Sequence, residues 1–165
     1  MPVLLDPGLA FGTGTHATTA MCLSALDGLI NGNERIIDFG CGSGILAIAA
    51  LKLGAACALG VDNDLQAVFA SRDNAQRNGI EPDDFAVVMP DDGVIAQWED
   101  SADLMVANIL AGPLVELADQ LINLTAPGGT ILLTGVLEAQ APQLIERYHN
   151  VNLEVNQQRD GWVLL

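Results

Sequence analysis

The stretch Asp38-Phe39-Gly40-Cys41-Gly42-Ser43-Gly44 constrains this chain more than any other. It follows a short apolar run, Arg35 to Phe39, that reads as a buried strand. It precedes an apolar run at helical spacing, Ile45 to Leu53, closed by Gly54. A strand that passes into a helix through alternate glycines makes a tight turn. A ligand can lie against that turn without interference from side chains. A second acid, Asp62, ends the next apolar run 22 residues beyond Gly40. A carboxylate there is placed to accept hydrogen bonds from both hydroxyls of a ribose.

The same alternation continues along the chain. An irregular start, Leu5-Asp6-Pro7-Gly8, leads to a helix from about Thr18 to Ile30 that Asn31-Gly32-Asn33 ends. Ala58 to Val61 is a second strand, and Asp64 is placed to N-cap a helix to Asn78, with Gly79 just beyond. Phe85 to Met89 and Leu104 to Ala107 are further strands. Pro113 opens a helix to Leu124, and Pro127-Gly128-Gly129 turns into the strand Thr130 to Thr134. A helix from about Ala139 to Tyr148 follows. Val151 to Asn156 and Trp162 to Leu165 then read as an antiparallel pair around Asp160-Gly161. Repeated β-α-β units predict one α/β domain over residues 1–165. Its fold is doubly wound and Rossmann-like. Its sheet is expected to have seven strands, mostly parallel, with a C-terminal antiparallel strand pair.

Composition agrees and narrows the setting. At 165 residues the chain is long enough to bury a core without a disulfide or metal staple. Aromatics are only 4%, so Leu, Ile, Val and Ala must build that core, as in parallel sheets covered by helices. No apolar run approaches the length that spans a bilayer, and no export signal opens the chain, so no membrane partner is expected. Cys22, Cys41 and Cys57 form no C-x-x-C pair, which fits reduced thiols in a cytoplasmic protein and no metal site. Twenty-one acids against six Lys and Arg give a net charge of −15. Such a field repels nucleic acid and favours cationic partners, including basic proteins; solubility or salty surroundings would also account for it.

Two cofactors compete for the glycine loop. Gly42-Ser43-Gly44-Ile45-Leu46-Ala47 satisfies the dinucleotide pattern G-x-G-x-x-A, and Asp62 stands near the expected distance. Electrostatics favours the other candidate. Asp38 at the mouth of the loop would face a doubly anionic pyrophosphate, and Asp64 adds further negative charge. S-adenosyl-L-methionine carries a sulfonium and an ammonium and no phosphate. The pattern D-x-G-x-G-x-G followed by an acid after the second strand is the one its enzymes display.

Two further segments narrow the family. Asp6-Pro7-Gly8-Leu9-Ala10-Phe11-Gly12-Thr13-Gly14-Thr15-His16-Ala17-Thr18-Thr19 precedes the sheet, and Ala107-Asn108-Ile109-Leu110-Ala111-Gly112-Pro113-Leu114 follows the fourth strand. With Asp38 to Leu53 between them, the chain closely resembles the catalytic domain of the ribosomal protein L-eleven methyltransferase family, over nearly its whole length. The resemblance implies a class I S-adenosylmethionine-dependent N-methyltransferase acting on lysine ε-amines and an α-amine of a large-subunit ribosomal protein. It implies cofactor contacts from Thr19, Gly40, Asp62 and Asn108, beside Asp38, Gly42 and Gly44 of the loop. Asn108 is also the candidate catalytic residue. It begins the tetrapeptide that is Asn/Asp-Pro-Pro-Tyr in many amino methyltransferases and is Asn-Ile-Leu-Ala here. Without an aromatic to stack on a planar base, an aliphatic amine suits this site better than a nucleobase.

Each of these residues also has a plainer explanation. Thr19 suits a first helical turn, Asn108 a strand-end cap, and His16 a loop-shaping hydrogen bond better than a general base. Asp91 and Asp92 follow the third strand, where such folds contact adenine, but acids are common in turns. His149, Trp98 and Trp162 carry no assignable chemistry. The family has a separate N-terminal domain that captures the ribosomal protein, and nothing in residues 1–165 corresponds to it. A small-molecule methyltransferase and a cofactor-binding module without turnover are the alternative functions.

Overall fold

The computed structural model describes residues 2–6 and 14–165. Residues 7–13 of the opening motif lie outside the described residues. Five parallel strands form the main sheet: β1 (Arg35–Phe39), β2 (Cys57–Val61), β3 (Phe85–Val88), β4 (Ala102–Asn108) and β5 (Thr125–Thr134), in the order β3-β2-β1-β4-β5. Six α-helices cover it: α1 (Ala17–Leu29), α2 (Ile45–Leu53), α3 (Leu65–Arg77), α4 (Ala111–Glu116), α5 (Ala118–Leu124) and α6 (Ala141–Arg147).

Side chains of a strand point alternately to opposite faces, and successive residues of β1 divide accordingly. Ile36 packs with Leu26, Ile48 and Val68, under α1, α2 and α3. Its neighbour Ile37 packs with Leu114, Leu121 and Leu144, under α4, α5 and α6. Because helices cover both faces, both sets must be apolar, and the strands are largely apolar, with the buried Asp38 an exception in β1. The expected doubly wound arrangement is present.

Helix ends follow their local signals. The Asp64 side chain accepts from the Gln66 N–H at 2.9 Å and caps α3. Gly54, at φ +118°, ends α2 in the left-handed region.

The expected single seven-stranded sheet is not what forms. A separate three-stranded antiparallel sheet holds β6 (Val136–Leu137), β7 (Gln157–Arg159) and β8 (Trp162–Leu164), in the order β6-β8-β7. Leu133 of β5 and Leu165 exchange backbone N–H···O bonds of 2.9 and 2.8 Å, which tie the two sheets together at one residue pair. Val151 to Asn156 forms no strand. A short 3-10 turn occupies His149–Val151, and Asn152 sits at φ +54°, so pairing begins only at Gln157. The hairpin around Asp160-Gly161 is as expected, with both residues at positive φ. The helix expected from Pro113 to Leu124 is two helices, α4 and α5, which part at Leu117 with ψ 0°. Strand β5 begins at Thr125, not at Thr130. Ala102 pairs with Thr125 and Leu104 with Thr130, so the residues around Pro127-Gly128-Gly129 bulge from the ladder.

Candidate functional site

Strand order reverses between β1 and β4, and the loops after these two strands diverge to leave a crevice. The loop after β1 carries Gly40 to Gly44, and β4 ends on Asn108. Two motifs far apart in sequence therefore meet at one place. The cavity there measures about 820 Å³, and Thr19, Asp38, Gly40, Gly42, Asp62 and Asn108 all line it. Of the expected site residues only Gly44 does not; it holds the loop from behind. Gly44 sits at φ +80°, and a Cβ there would meet the Ser71 side chain at 3.0 Å. Gly40 sits at φ +78°, and a Cβ there would collide with Ile109.

Asp62 organises the loop. One carboxylate oxygen accepts from the Gly42 N–H and the other from the Asp64 N–H, each at 2.9 Å. A carboxylate has about four lone-pair sites, so roughly two stay available toward the cavity. Asp38 lies deeper, only 1% exposed, and accepts from the Ala47 N–H in the first turn of α2 at 3.3 Å. Burial pushes its carboxyl up to about 7; the Ala47 N–H opposes the rise and the neighbouring Asp62 adds to it. The described structure brings no cation to either acid.

Across the crevice, the Asn108 Nδ2 donates to the Thr19 hydroxyl at 3.3 Å, which fixes the amide and leaves its Oδ1 as an acceptor. Thr19 is fully buried in the first turn of α1. The helical and the ligand-facing readings of Thr19 thus coincide: it sits in the helix and lines the cavity.

His16 is the N-cap of α1. Its Nδ1 accepts from the Thr18 N–H at 3.3 Å and lies 2.8 Å from the Thr18 Oγ1. Its ring meets the Trp162 ring edge-on, with centroids 5.1 Å apart. Trp162 lines the cavity as well, as do Glu116 and the exposed Leu110, none of which sequence reasoning singled out as site residues. The one signal for Trp162 is a large aromatic opening the last strand. Asp91 and Asp92 are exposed and do not line the cavity; Asp92 caps a 3-10 turn through the Val94 N–H, and Pro90 is the cavity residue of that segment. Cys41 also lines the cavity, but burial and the nearby Asp38 push its thiol far up, and burial raises Cys22 to about 12, so neither is a nucleophile. No cluster among the described residues has the make-up of a metal site, and no helix among them is long and apolar enough to cross a membrane.

This sheet order, with glycine loop and acidic frame at the switch point, defines an α/β Rossmann-like methyltransferase fold. A precorrin-6Y C5,15-methyltransferase from Geobacter metallireducens has the same fold, with a TM-score of 0.72 at 18% identity, covering 98% of this chain and 94% of that one. The family model for ribosomal protein L11 methyltransferase (PrmA) matches residues 1–165, and the chain belongs to that family. The ribosomal protein L11 methyltransferase of Pseudomonas paraeruginosa is 57% identical over 162 residues, which cover 98% of this chain and 54% of the relative. The chain thus spans about half the length of the relatives it matches. The crystal structure of a ribosomal protein L11 methylase from Lactobacillus delbrueckii subsp. bulgaricus superposes with a TM-score of 0.83 at 32% identity, covering 98% of this chain and 82% of that one.

Proposed function

We propose that this chain binds S-adenosyl-L-methionine in the crevice between β1 and β4 and serves in N-methylation of lysine ε-amino and α-amino groups of a large-subunit ribosomal protein. The observation that carries the reading is the pairing of the glycine loop, framed by Asp38 and Asp62, with an Asn108 amide held by Thr19. The residues fit the cofactor's chemistry. The Gly40 position leaves space that a Cβ would fill, Asp62 keeps lone pairs for two ribose hydroxyls, and the buried Asp38 has no cation. Two acids in the wall suit a cationic ligand and oppose a pyrophosphate. When bound, S-adenosyl-L-methionine supplies an electrophilic methyl group on a sulfonium sulfur.

The chain's own residues hold and orient. Gly40 and Gly42 line the cradle, Asp62 would hold the ribose hydroxyls, and Asp38 would pair with the ammonium end. The Asn108 Oδ1 accepts from the acceptor amine and aims its lone pair, as an in-line displacement about 3 Å from the methyl carbon requires. The amine lone pair would take the methyl group of the bound cofactor, the C–S electron pair leaving on sulfur, and the product ammonium would pass a proton to water. A lysine of pKa ~10.4 is neutral in about one molecule in 2,500 at pH 7, so the amine must lose its proton before transfer. His16 spends its Nδ1 on Thr18, which fits the absence of an enzyme base.

The direct test is transfer of radiolabelled methyl from S-adenosyl-L-methionine to purified ribosomal protein, with the small-molecule fraction of a cell extract in parallel. Label in the small-molecule fraction alone would overturn the protein-substrate reading. Failure of the chain to bind S-adenosyl-L-methionine would overturn the cofactor assignment.

A further inference from the structure

The glycine loop, Asp38 and Asp62 line the cavity, and so do Leu110, Pro113, Glu116 and Leu117, from the segment that follows Asn108 through α4. The spacing of Pro113, Glu116 and Leu117, three and four residues apart, sets them on one helix face. Leu110 is 69% exposed at this rim. Glu116 is the charged residue that this segment adds to the cavity lining.

Its side chain is solvent-exposed. Glu116 is the last residue of α4, where the unsatisfied carbonyls of a helix end disfavour a carboxylate and favour a cation. Arg147 of α6, the cation beside this segment, gives its guanidinium to Asp119 at 3.0 Å and to the Val115 carbonyl at 3.2 Å. No hydrogen bond or ion pair joins the Glu116 carboxylate to any described residue. The fold thus leaves an uncompensated negative charge on an apolar rim that opens into the reaction cavity.

We infer that the α4 side of the cavity is an acceptor channel for an aliphatic ammonium side chain, with Glu116 as the residue that selects it. Leu110, Pro113 and Leu117 flank the methylene stem, and Glu116 attracts the ammonium head, as long cationic side chains place an apolar stem on apolar surface and keep the charge near water. The channel disfavours anionic acceptors. This rests on the amine-methylation reading above and deepens it: the acceptor is recognised while still protonated and loses its proton before reaching Asn108. Glu116 selects and positions; it does not act as the base.

Two experiments separate this inference from the reading beneath it. In the first, n-butylammonium and 1-butanol are titrated against the chain without cofactor, following the Leu110 and Leu117 methyl resonances. The expected result is saturation by butylammonium at about threefold to fivefold lower concentration, the scale of an exposed charge pair. The preference disappears in Glu116→Gln and persists in Asp119→Asn, whose carboxylate Arg147 already holds. In the second, Glu116→Gln raises KM for a lysine-containing acceptor peptide by about the same factor, with kcat and S-adenosyl-L-methionine affinity unchanged, and Glu116→Asp restores most of it. Equal titration by the two probes in the wild-type chain would overturn the inference, as would an unchanged KM in both Glu116→Gln and Glu116→Lys. Butylammonium preference without any methyl transfer to lysine would keep the ammonium channel and remove the methylation reading instead.

Discussion

Asp38→Asn isolates the cost of keeping a carboxylate in the floor of the site. The native side chain is 1% exposed, and burial raises its carboxyl from 3.8 to about 7. A raised acid binds a proton in the folded chain at pH values where the unfolded chain has released it. Folding stability from this residue therefore falls as pH rises between 3.8 and about 7, and stays low above that window. At ~1.36 kcal/mol per pH unit the interval amounts to about 4 kcal/mol, an upper bound because the site relaxes and admits water. The Asn amide occupies nearly the same volume, its oxygen still accepts from the Ala47 N–H, and it carries no charge. Without ligand, Asp38→Asn is thus expected to match the wild-type chain near pH 4 and to exceed it by about 2–4 kcal/mol at pH 8. Urea unfolding at both pH values measures this. The difference between the two chains is the quantity to follow, because the net charge of −15 makes the wild type alone less stable as pH rises. The effect on S-adenosyl-L-methionine binding has the opposite sign: the variant loses the partner of the ammonium, and affinity drops by about tenfold or more. A stability difference equal at pH 4 and pH 8 would refute the burial argument. Undiminished cofactor affinity would remove Asp38 from the ammonium.

Three further outcomes are expected. Asp62→Ala removes the carboxylate that holds the Gly42 and Asp64 N–H groups together with its lone pairs for ribose, so calorimetry should show at least a ~30-fold loss of S-adenosyl-L-methionine affinity; an unchanged dissociation constant would take Asp62 out of the site. Gly135→Ala places a Cβ against the Ile109 carbonyl at φ +86°, so it should lower stability by about 2 kcal/mol or more and perturb the Asn108 segment; a thermal melt matching the wild type would contradict the packing described. With no enzyme base, single-turnover methyl transfer at limiting acceptor should rise nearly tenfold per pH unit below the lysine pKa of ~10.4, whereas a plateau near pH 7 would make His16 the first residue to mutate.

The glycine loop, its acidic frame and the β-α alternation were legible because each rests on short-range chemistry. Glycine conformation, strand-then-helix periodicity and the capping acid Asp64 act over a few residues, and the structure places them as read. The opening motif was legible only in part, since residues 7–13 lie outside the described residues. Long-range pairing was less legible. Val136–Leu137 became a strand only because β8 lay beside it, a two-residue element with no periodicity to detect. The assumed strand at Val151 to Asn156 failed because one residue at positive φ, Asn152, outweighed apolar alternation. Local chemistry by itself therefore determined the class of fold, the cradle and the two acids. The tertiary structure alone decided that the Asn108 amide rests on Thr19, that Trp162 leans on His16, and that Glu116 stands without a cation while Arg147 turns to Asp119. These contacts join residues distant along the chain, and burial and charge pairing depend on which surfaces the fold presses together, a quantity that no local pattern carries.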